Sequence, residues 1–171
     1  MATYVGLGAN LDHPNYGKPR HTLCRALDSL HEMGLGPVRV SRWYSSSPVP
    51  PSGQPWYVNA VAEIQSDLGP DATLAALHMV EDMFGRVREE RNGPRWIDLD
   101  LLDYNAIQKQ GLAPGISTLP HPRLHLRAFV LLPLADLAPD WRHPVTGELI
   151  CALLSRLPSD QTATLLPEER H

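Results

Sequence analysis

Residues 95–102 read Arg-Trp-Ile-Asp-Leu-Asp-Leu-Leu, a run in which two acidic residues alternate with aliphatic ones. In a β-strand successive side chains point to opposite faces, so the aliphatic residues can enter a core while Asp98 and Asp100 share the other face. At about 3.3 Å per residue their Cα atoms lie roughly 6.6 Å apart, which lets both carboxylates reach one divalent cation or a pair. The stretch therefore predicts a strand that carries a metal site.

Four arginines precede or enter this strand, at Arg86, Arg88, Arg91 and Arg95. Guanidinium groups bind phosphates and carboxylates bind metals, so the two sets together suit a metal-bound polyphosphate. A second interpretation stays open, because an Asp-x-Asp pair also occurs on the solvent face of antiparallel sheets and charged loops are often only solvated. The coincidence of the two sets favours the metal and polyphosphate site.

The composition is that of an ordinary globular chain with 171 residues, a net charge of −4 and two cysteines, Cys24 and Cys151. This length suits a single domain over residues 1–171, with a weakly ordered tail after about residue 158. The mild charge argues against nucleic acid or a membrane surface as a partner. The distant cysteines suit a reducing compartment, and no leader or apolar run of about 18 residues is visible, so we expect a cytoplasmic protein.

Hydrophobic periodicity indicates the order strand, helix, strand, strand, helix, strand. This order matches the split βαβ arrangement and predicts an α+β, ferredoxin-like fold, an antiparallel sheet with flanking helices that form an αβα sandwich. A further helix is expected over about 124–137, with Pro133 as a candidate interruption. The expected elements are strands at 2–8, 38–46 and 57–65, the aspartate strand, and helices at about 23–30 and 70–84.

Several shorter motifs narrow the chemistry. Pro120 and Pro122 fix the backbone around His121, whose ring is as suited to a ligand as to a structural role. The other histidines show no zinc-binding spacing. The stretch Gly6-Leu7-Gly8 lacks the third glycine and the helix of a dinucleotide-binding loop, and no Walker A lysine motif is present. Polyphosphate binding would therefore depend on arginines and a metal.

Aromatic residues make up only 6% of the chain. A clamp for a planar ligand would have to use the few that are available, such as Tyr57 and Phe129. Packing in the core is the default role for both. The loop 45–55 contains four serines, four prolines and a glycine, and its length in a compact domain makes it a candidate for function.

Five pieces of the chain form a joint pattern: Val5-Gly6-Leu7-Gly8-Ala9-Asn10-Leu11, Gln54-Pro55-Trp56-Tyr57-Val58-Asn59-Ala60, Glu81 with Gly85-Arg86-Val87-Arg88, Gly93-Pro94-Arg95-Trp96-Ile97-Asp98-Leu99-Asp100, and Leu119-Pro120-His121-Pro122-Arg123-Leu124-His125-Leu126-Arg127-Ala128-Phe129-Val130. With this pattern the chain resembles the 6-hydroxymethyl-7,8-dihydropterin pyrophosphokinase family of folate synthesis, from Tyr4 to about Pro144. The family transfers a diphosphate from ATP to a pterin alcohol and releases AMP.

The resemblance also implies roles for individual residues. It assigns to Asp98 and Asp100 two Mg²⁺ ions that bridge the ATP phosphates and the substrate hydroxyl. The catalytic set it implies is these aspartates with the arginines that engage the triphosphate, Arg86, Arg88 and Arg95. It places ATP at His78, Glu81, Arg88, Arg95, Leu101, Thr118, His121 and Arg127, with backbone groups near Leu101 meeting adenine. It places the pterin between Tyr57 and Phe129, hydrogen-bonded to Asn59 and to the backbone around Ser46 and Val49.

We therefore expect a monomeric, magnesium-dependent diphosphotransferase whose partners are ATP and 6-hydroxymethyl-7,8-dihydropterin. One alternative is a different two-metal phosphoryl or nucleotidyl transferase, because Asp-x-Asp on a ferredoxin-like sheet also suits that chemistry. The other is a ferredoxin-like binding module without activity. A nucleotidyl transferase has no use for the clamp of Tyr57, Asn59 and Phe129, and a binding module needs no buried pair of carboxylates.

Overall fold

A six-stranded antiparallel sheet forms the centre of the computed structural model, which describes residues 2–86 and 94–169. The strands are β1 (Thr3–Ala9), β2 (Pro37–Val40), β3 (Tyr44–Ser46), β4 (Tyr57–Ile64), β5 (Asp98–Tyr104) and β6 (Ala163–Leu165). Their order is β5-β1-β4-β3-β6, and β2 pairs with β4 beside β3. The α+β, ferredoxin-like arrangement predicted from the sequence is confirmed.

Two helices, α1 (Pro19–Glu32) and α2 (Pro70–Met83), cover one face of this sheet. Each has a proline in its first turn, where the missing N–H would have no partner within the helix. The buried residues of α1 recur at spacings of three and four, as the sequence predicts. They pack with α2 against the aliphatic side chains of β1, β4 and β5.

The opposite face carries a second apolar cluster around α3 (Ala128–Leu137) and α4 (Ile150–Ser155). Tyr4, Val61 and Leu102 supply the sheet side of this cluster. The helices on both faces make the structure an αβα sandwich. Within the described residues, no helix has the length and apolar character needed to cross a membrane.

The strand expected over 38–46 is divided into β2 and β3. Val40 pairs with Ala62 and Tyr44 pairs with Asn59, so three residues of one chain segment face two of the other. The extra residue produces a bulge. Ser41 lies at this point, and its hydroxyl accepts a hydrogen bond from the Val61 N–H at 2.9 Å.

The helix expected over 124–137 is broken, but at Arg127 instead of Pro133. A 3-10 turn covers Leu124–Leu126, and Arg127 is extended at φ −123° and ψ 118° before α3 begins. Pro133 lies inside α3 and is buried. Proline costs the helix one N–H hydrogen bond, and burial of its ring in the apolar cluster offsets part of that loss.

The tail after residue 158 contains a strand that the sequence did not predict. Its strand β6 pairs antiparallel with β3, with Ser46 opposite Ala163. The Leu166 N–H also donates to the Trp43 carbonyl at 2.8 Å. The expectation of weak order for this segment stays a prediction, and the strand itself was not predicted because its pairing partner is distant and leaves no local signal.

Candidate active site

A cavity of about 240 Å³ opens on the sheet face opposite α1 and α2. Its floor follows the sheet register, in which Gly8 of β1 pairs with Asn59 of β4 on one side and Asp98 of β5 on the other. Gly6 pairs with Asp100 in the same way. A Cβ at Gly8 would lie 3.1 Å from the Asn59 Nδ2. The two glycines therefore keep the centre of the floor open, a role that their alternation within a strand could have indicated.

The alternation predicted for β5 is confirmed. Asp98 and Asp100 line the cavity, whereas Ile97, Leu99 and Leu101 are buried on the face of the sheet that α1 and α2 cover. The apolar residues anchor the strand against α2, and this anchoring fixes the direction of the two carboxylates. One strand thus supplies both the core and the acidic group of the site.

The carboxylates lie in an environment that disfavours their charge. Burial raises the pKa of Asp98 to about 6, and the neighbouring Asp100 adds to the rise. Burial also raises the pKa of Asp100. The Arg86 Nη1 donates to the Asp98 Oδ1 at 2.9 Å and opposes this shift. A divalent cation would compensate both negative charges.

Glu81 lies behind the cavity instead of in it. Its side chain is 0% exposed, forms an ion pair with Arg86 and accepts the Leu99 N–H at 3.1 Å. The acid therefore holds an arginine of the cavity and the strand of the aspartates at once. Glu81 is not among the residues that line the cavity, and its expected contact with ATP stays a prediction. Its position on the buried face of α2, four residues after Leu77 and three before Phe84, was a signal for this burial.

Residues 121–129 form one wall of the cavity. The His121 N–H donates to the Leu102 carbonyl at 2.8 Å, and its Nδ1 accepts the Arg123 N–H at 3.2 Å. Burial lowers the pKa of His121 to about 4, assisted by Arg127 and Arg123. The imidazole is thus neutral near pH 7, and because Nδ1 accepts a hydrogen bond, Nε2 carries the proton. His121 is a fixed neutral donor.

Tyr57 and Phe129 also line the cavity, together with Ser46, Val49 and Asn59. The Ser46 hydroxyl donates to the Asn59 Oδ1 at 2.5 Å, which settles the orientation of this buried amide. Burial raises the pKa of Tyr57, so its hydroxyl is protonated. We call these five residues the ring end. We call the arginine, aspartate and histidine residues of the cavity the charged end: Arg86, Arg95, Asp98, Asp100, His121, Arg123 and Arg127.

Asn10 joins the segments on two sides of the cavity. Its buried amide donates through Nδ2 to the Gln54 Oε1 and the Pro55 carbonyl, both at 3.0 Å. Its Oδ1 accepts the Arg95 N–H at 2.8 Å. The sequence interpretation gave Asn10 no role, although an asparagine directly after a strand is a frequent maker of side chain to backbone hydrogen bonds. Arg123 is a second residue of the cavity for which no role was predicted.

Most of the predicted site residues converge on the cavity, and four lie away from it. Besides Glu81, these are His78 on α2, Thr118, whose Oγ1 accepts the Gly111 N–H at 3.1 Å, and Leu101. The Leu101 side chain is buried. Its backbone N–H points the same way as the Leu99 N–H, toward the edge of β5 that lies opposite β1. Arg88 lies outside the described residues. Those that line the cavity are Ser46, Val49, Tyr57, Asn59, Arg86, Arg95, Asp98, Asp100, His121, Arg127 and Phe129.

The two carboxylates of the cavity suit Mg²⁺ better than they suit a metal ion whose ligands all come from protein side chains. In the described ranges, no group of three or more His, Cys, Asp or Glu side chains could enclose a metal ion. Mg²⁺ usually takes one or two carboxylates and completes its shell with water and substrate phosphates. Asp98 and Asp100 beside several arginines meet that requirement. The fold and the cavity thus define a ferredoxin-like protein whose arginines could bind an anion and whose two aspartates could hold a hard divalent cation.

Comparison with known proteins identifies the family. The family model described as 7,8-dihydro-6-hydroxymethylpterin-pyrophosphokinase matches residues 4–139. The 2-amino-4-hydroxy-6-hydroxymethyldihydropteridine pyrophosphokinase of Pseudomonas aeruginosa is 43% identical over 158 residues, 91% of each chain. The enzyme of the same name from Haemophilus influenzae is 36% identical over 169 residues, 98% of this chain and 99% of that one.

A solved HPPK-DHPS structure in complex with substrates shares the fold, with a TM-score of 0.66 and 13% identity. The match covers 90% of this chain but only 44% of that longer chain. The chain described here belongs to the 7,8-dihydro-6-hydroxymethylpterin-pyrophosphokinase family. It is a diphosphotransferase of folate biosynthesis, and the alternatives of a nucleotidyl transferase or a binding module are set aside.

Proposed function

We propose that the chain transfers the diphosphate of ATP to the hydroxymethyl group of 6-hydroxymethyl-7,8-dihydropterin, with AMP as the second product. The observation that carries this proposal is the joining of two ends in one cavity. Asp98 and Asn59 flank Gly8 in a single row of the sheet. A metal-bound polyphosphate at the charged end would therefore lie beside a planar ligand at the ring end.

At the charged end, Arg86 and Arg95 would bind the triphosphate, and Arg88 would join them from outside the described residues. Guanidinium groups suit this role because they are planar, permanently charged and able to form two hydrogen bonds with a phosphate. Neutral His121 would donate its Nε2–H to a phosphate oxygen. Asp98 and Asp100 would hold two Mg²⁺ ions, which, when bound, neutralise phosphate charge.

At the ring end, the pterin would stack between Tyr57 and Phe129. Asn59 would hydrogen-bond its polar edge, with the backbone near Ser46 and Val49 completing the recognition. Because the Ser46 hydroxyl already donates to the Asn59 Oδ1, the amide presents its Nδ2 in a fixed direction. A flat ring with alternating donors and acceptors is matched by two aromatic faces and one oriented amide.

In the reaction, the hydroxyl oxygen of the pterin forms a bond to the β-phosphorus of ATP. The bond from that phosphorus to the oxygen bridging the α- and β-phosphates breaks, AMP leaves with the oxygen, and the hydroxyl proton passes to solvent. The residues of the chain hold the two substrates in line and bind the charge of the triphosphate. They do not form a covalent intermediate in this scheme.

The remaining assignments follow the open edge of β5. We infer that backbone groups of Leu101, with His78 and Thr118, contact the base and ribose of ATP. Glu81 acts behind them by holding Arg86 and β5. We also propose that the enzyme is a cytoplasmic monomer that binds neither nucleic acid nor membranes.

A coupled assay for AMP release tests the proposal. We expect AMP to appear only when ATP, Mg²⁺ and 6-hydroxymethyl-7,8-dihydropterin are all present. Removal of the metal with a chelator should stop turnover, and fresh Mg²⁺ should restore it. Release of pyrophosphate instead of AMP, or release of AMP at the same rate without the pterin, would contradict the proposed reaction.

A further inference from the structure

The tail of the chain returns to the ring end of the cavity. It lies beyond residues 4–139, which the family model covers. The Ser47 N–H donates to the Thr162 carbonyl at 3.0 Å, and Ser46 pairs with Ala163 across β3 and β6. The tail thereby supports the strand that carries Ser46, the residue that orients Asn59.

The preceding residue, Gln161, contacts the opposite wall. Its Oε1 accepts the Ala128 N–H at 2.8 Å, and its Nε2 donates to the Leu126 carbonyl at 2.8 Å. One amide side chain thus bridges the break between the 3-10 turn and α3. Arg127 lies between the two residues that Gln161 contacts, and Phe129 directly follows the second of them, Ala128.

This bridge satisfies backbone groups that the local structure does not. The N–H groups of the first helical turn lack partners within the helix, and Arg127 at the N-cap of α3 makes no side-chain capping hydrogen bond. The Arg127 carbonyl accepts the Val130 and Leu131 N–H groups, whereas the Ala128 N–H and the Leu126 carbonyl on either side of Arg127 are bonded by Gln161. The two hydrogen bonds of Gln161 therefore fix the backbone from which Phe129 projects.

We propose that Gln161 is a positioning residue for the pterin, which fixes the distance between the wall of Ser46 and the wall of Phe129. This inference rests on the proposed function of the ring end. Neighbouring tail residues hold one wall through β6, and Gln161 holds the other. The tail therefore sets the width of the slot into which a planar ring inserts. Small displacements matter for a stacked ligand because its contacts are short-ranged.

The test compares Gln161→Met with Gln108→Met. Methionine keeps the length of the side chain and removes its hydrogen bonds. Gln108 is a matched control, since its Nε2 donates to the Pro144 carbonyl at 2.9 Å on an exposed surface and it does not line the cavity. We expect Gln161→Met to raise the KM for the pterin about tenfold, as the loss of a positioning hydrogen bond would. The KM for ATP should change less than threefold, and Gln108→Met should change neither constant.

Hydrogen exchange supplies a readout that does not depend on turnover. The amides of residues 126–130 should exchange faster in Gln161→Met than in the wild-type protein without ligands, and should be unchanged in Gln108→Met. Unchanged exchange, an unchanged pterin KM, or an equal rise of both KM values would overturn the positioning role. Absence of pterin-dependent AMP release in the wild-type protein would instead overturn the proposed function, while the exchange result would still decide the bridge.

Discussion

The two ends of the cavity are prepared for their ligands in different ways. At the charged end, burial disfavours the charged form of acids and bases alike. It raises the pKa of Asp98 and Asp100 and lowers the pKa of His121 and Arg127. At the ring end, Ser46 and Asn59 already satisfy each other. The difference teaches that the charged end suits a ligand that brings compensating charge, whereas the proposed pterin site at the ring end would need no rearrangement of Ser46 and Asn59.

The largest expected effect belongs to the two aspartates. Asp98→Asn or Asp100→Asn should lower turnover by about 10²-fold to 10³-fold, because each removes a charge from a site built around a cation and phosphates. Steady-state kinetics at saturating Mg²⁺ measures this. Asp103→Asn is the matched control on the same strand, since Asp103 accepts the Trp141 Nε1–H at 2.8 Å away from the cavity. Turnover close to the wild-type value in both site variants would contradict the assignment of Asp98 and Asp100 as metal ligands.

The next effect concerns the support behind the charged end. Glu81→Gln should lower the free energy of unfolding by about 3 kcal/mol, because it leaves the guanidinium of Arg86 with less compensating charge. Denaturant unfolding should show this loss. Glu63→Gln, which breaks a partly exposed ion pair with Arg39, should cost less than about 1 kcal/mol. Equal costs in the two variants would show that burial of Glu81 has no energetic weight.

A smaller effect is the dependence of stability on pH in the metal-free protein. Asp98 has a raised pKa, so its contribution to the free energy of unfolding is present below pH 3.8, the usual pKa of the group. This contribution is lost as pH rises through about 6. His121 has a lowered pKa, so its contribution to the free energy of unfolding is present above pH 6.5, the usual pKa of the group. This contribution is lost as pH falls through about 4.

The two contributions therefore oppose each other between pH 4 and 6 and largely cancel. Asp98→Asn should make stability rise more steeply with pH in this window, and His121→Gln should make it fall. Thermal unfolding at half-unit pH intervals, with a chelator present, measures both slopes. Slopes that change in the same direction in both variants would contradict the opposite electrostatic environments of these groups.

Local sequence patterns predicted the charged end better than the ring end. The alternation of β5 follows from strand geometry, and the periodicity of α1 follows from its buried face, so both were visible in the chain. The family resemblance supplied Asn59, and without it Tyr57 and Phe129 were only candidates for a clamp, with core packing as their default role. Residues on several strands come together only through the register of the sheet.

The features that escaped prediction depend on distant contacts. Gln161 bridges residues more than thirty positions away, at Leu126 and Ala128. A single polar side chain in a tail has no periodicity that could reveal such a contact. The break at Arg127 escaped for the same reason, because Pro133 is the stronger local breaker and only the tertiary packing decides between them.

The central claim is that the two ends bind different ligands, and paired binding isotherms test it most directly. Calorimetry would measure the pterin and a non-hydrolysable ATP analogue with Mg²⁺ on Phe129→Ala, Asn59→Leu and Tyr57→Phe. Phe129→Ala and Asn59→Leu should each weaken the pterin by about 1–3 kcal/mol, through lost stacking area and an unpaired polar edge. Tyr57→Phe should cost little because the stacking face remains.

Affinity for the nucleotide analogue should stay within about twofold in all three variants, since it depends on the arginines, His121 and the metal. That result would establish the separation of the two ends. Equal weakening of the pterin and the nucleotide analogue by Phe129→Ala and Asn59→Leu would contradict it.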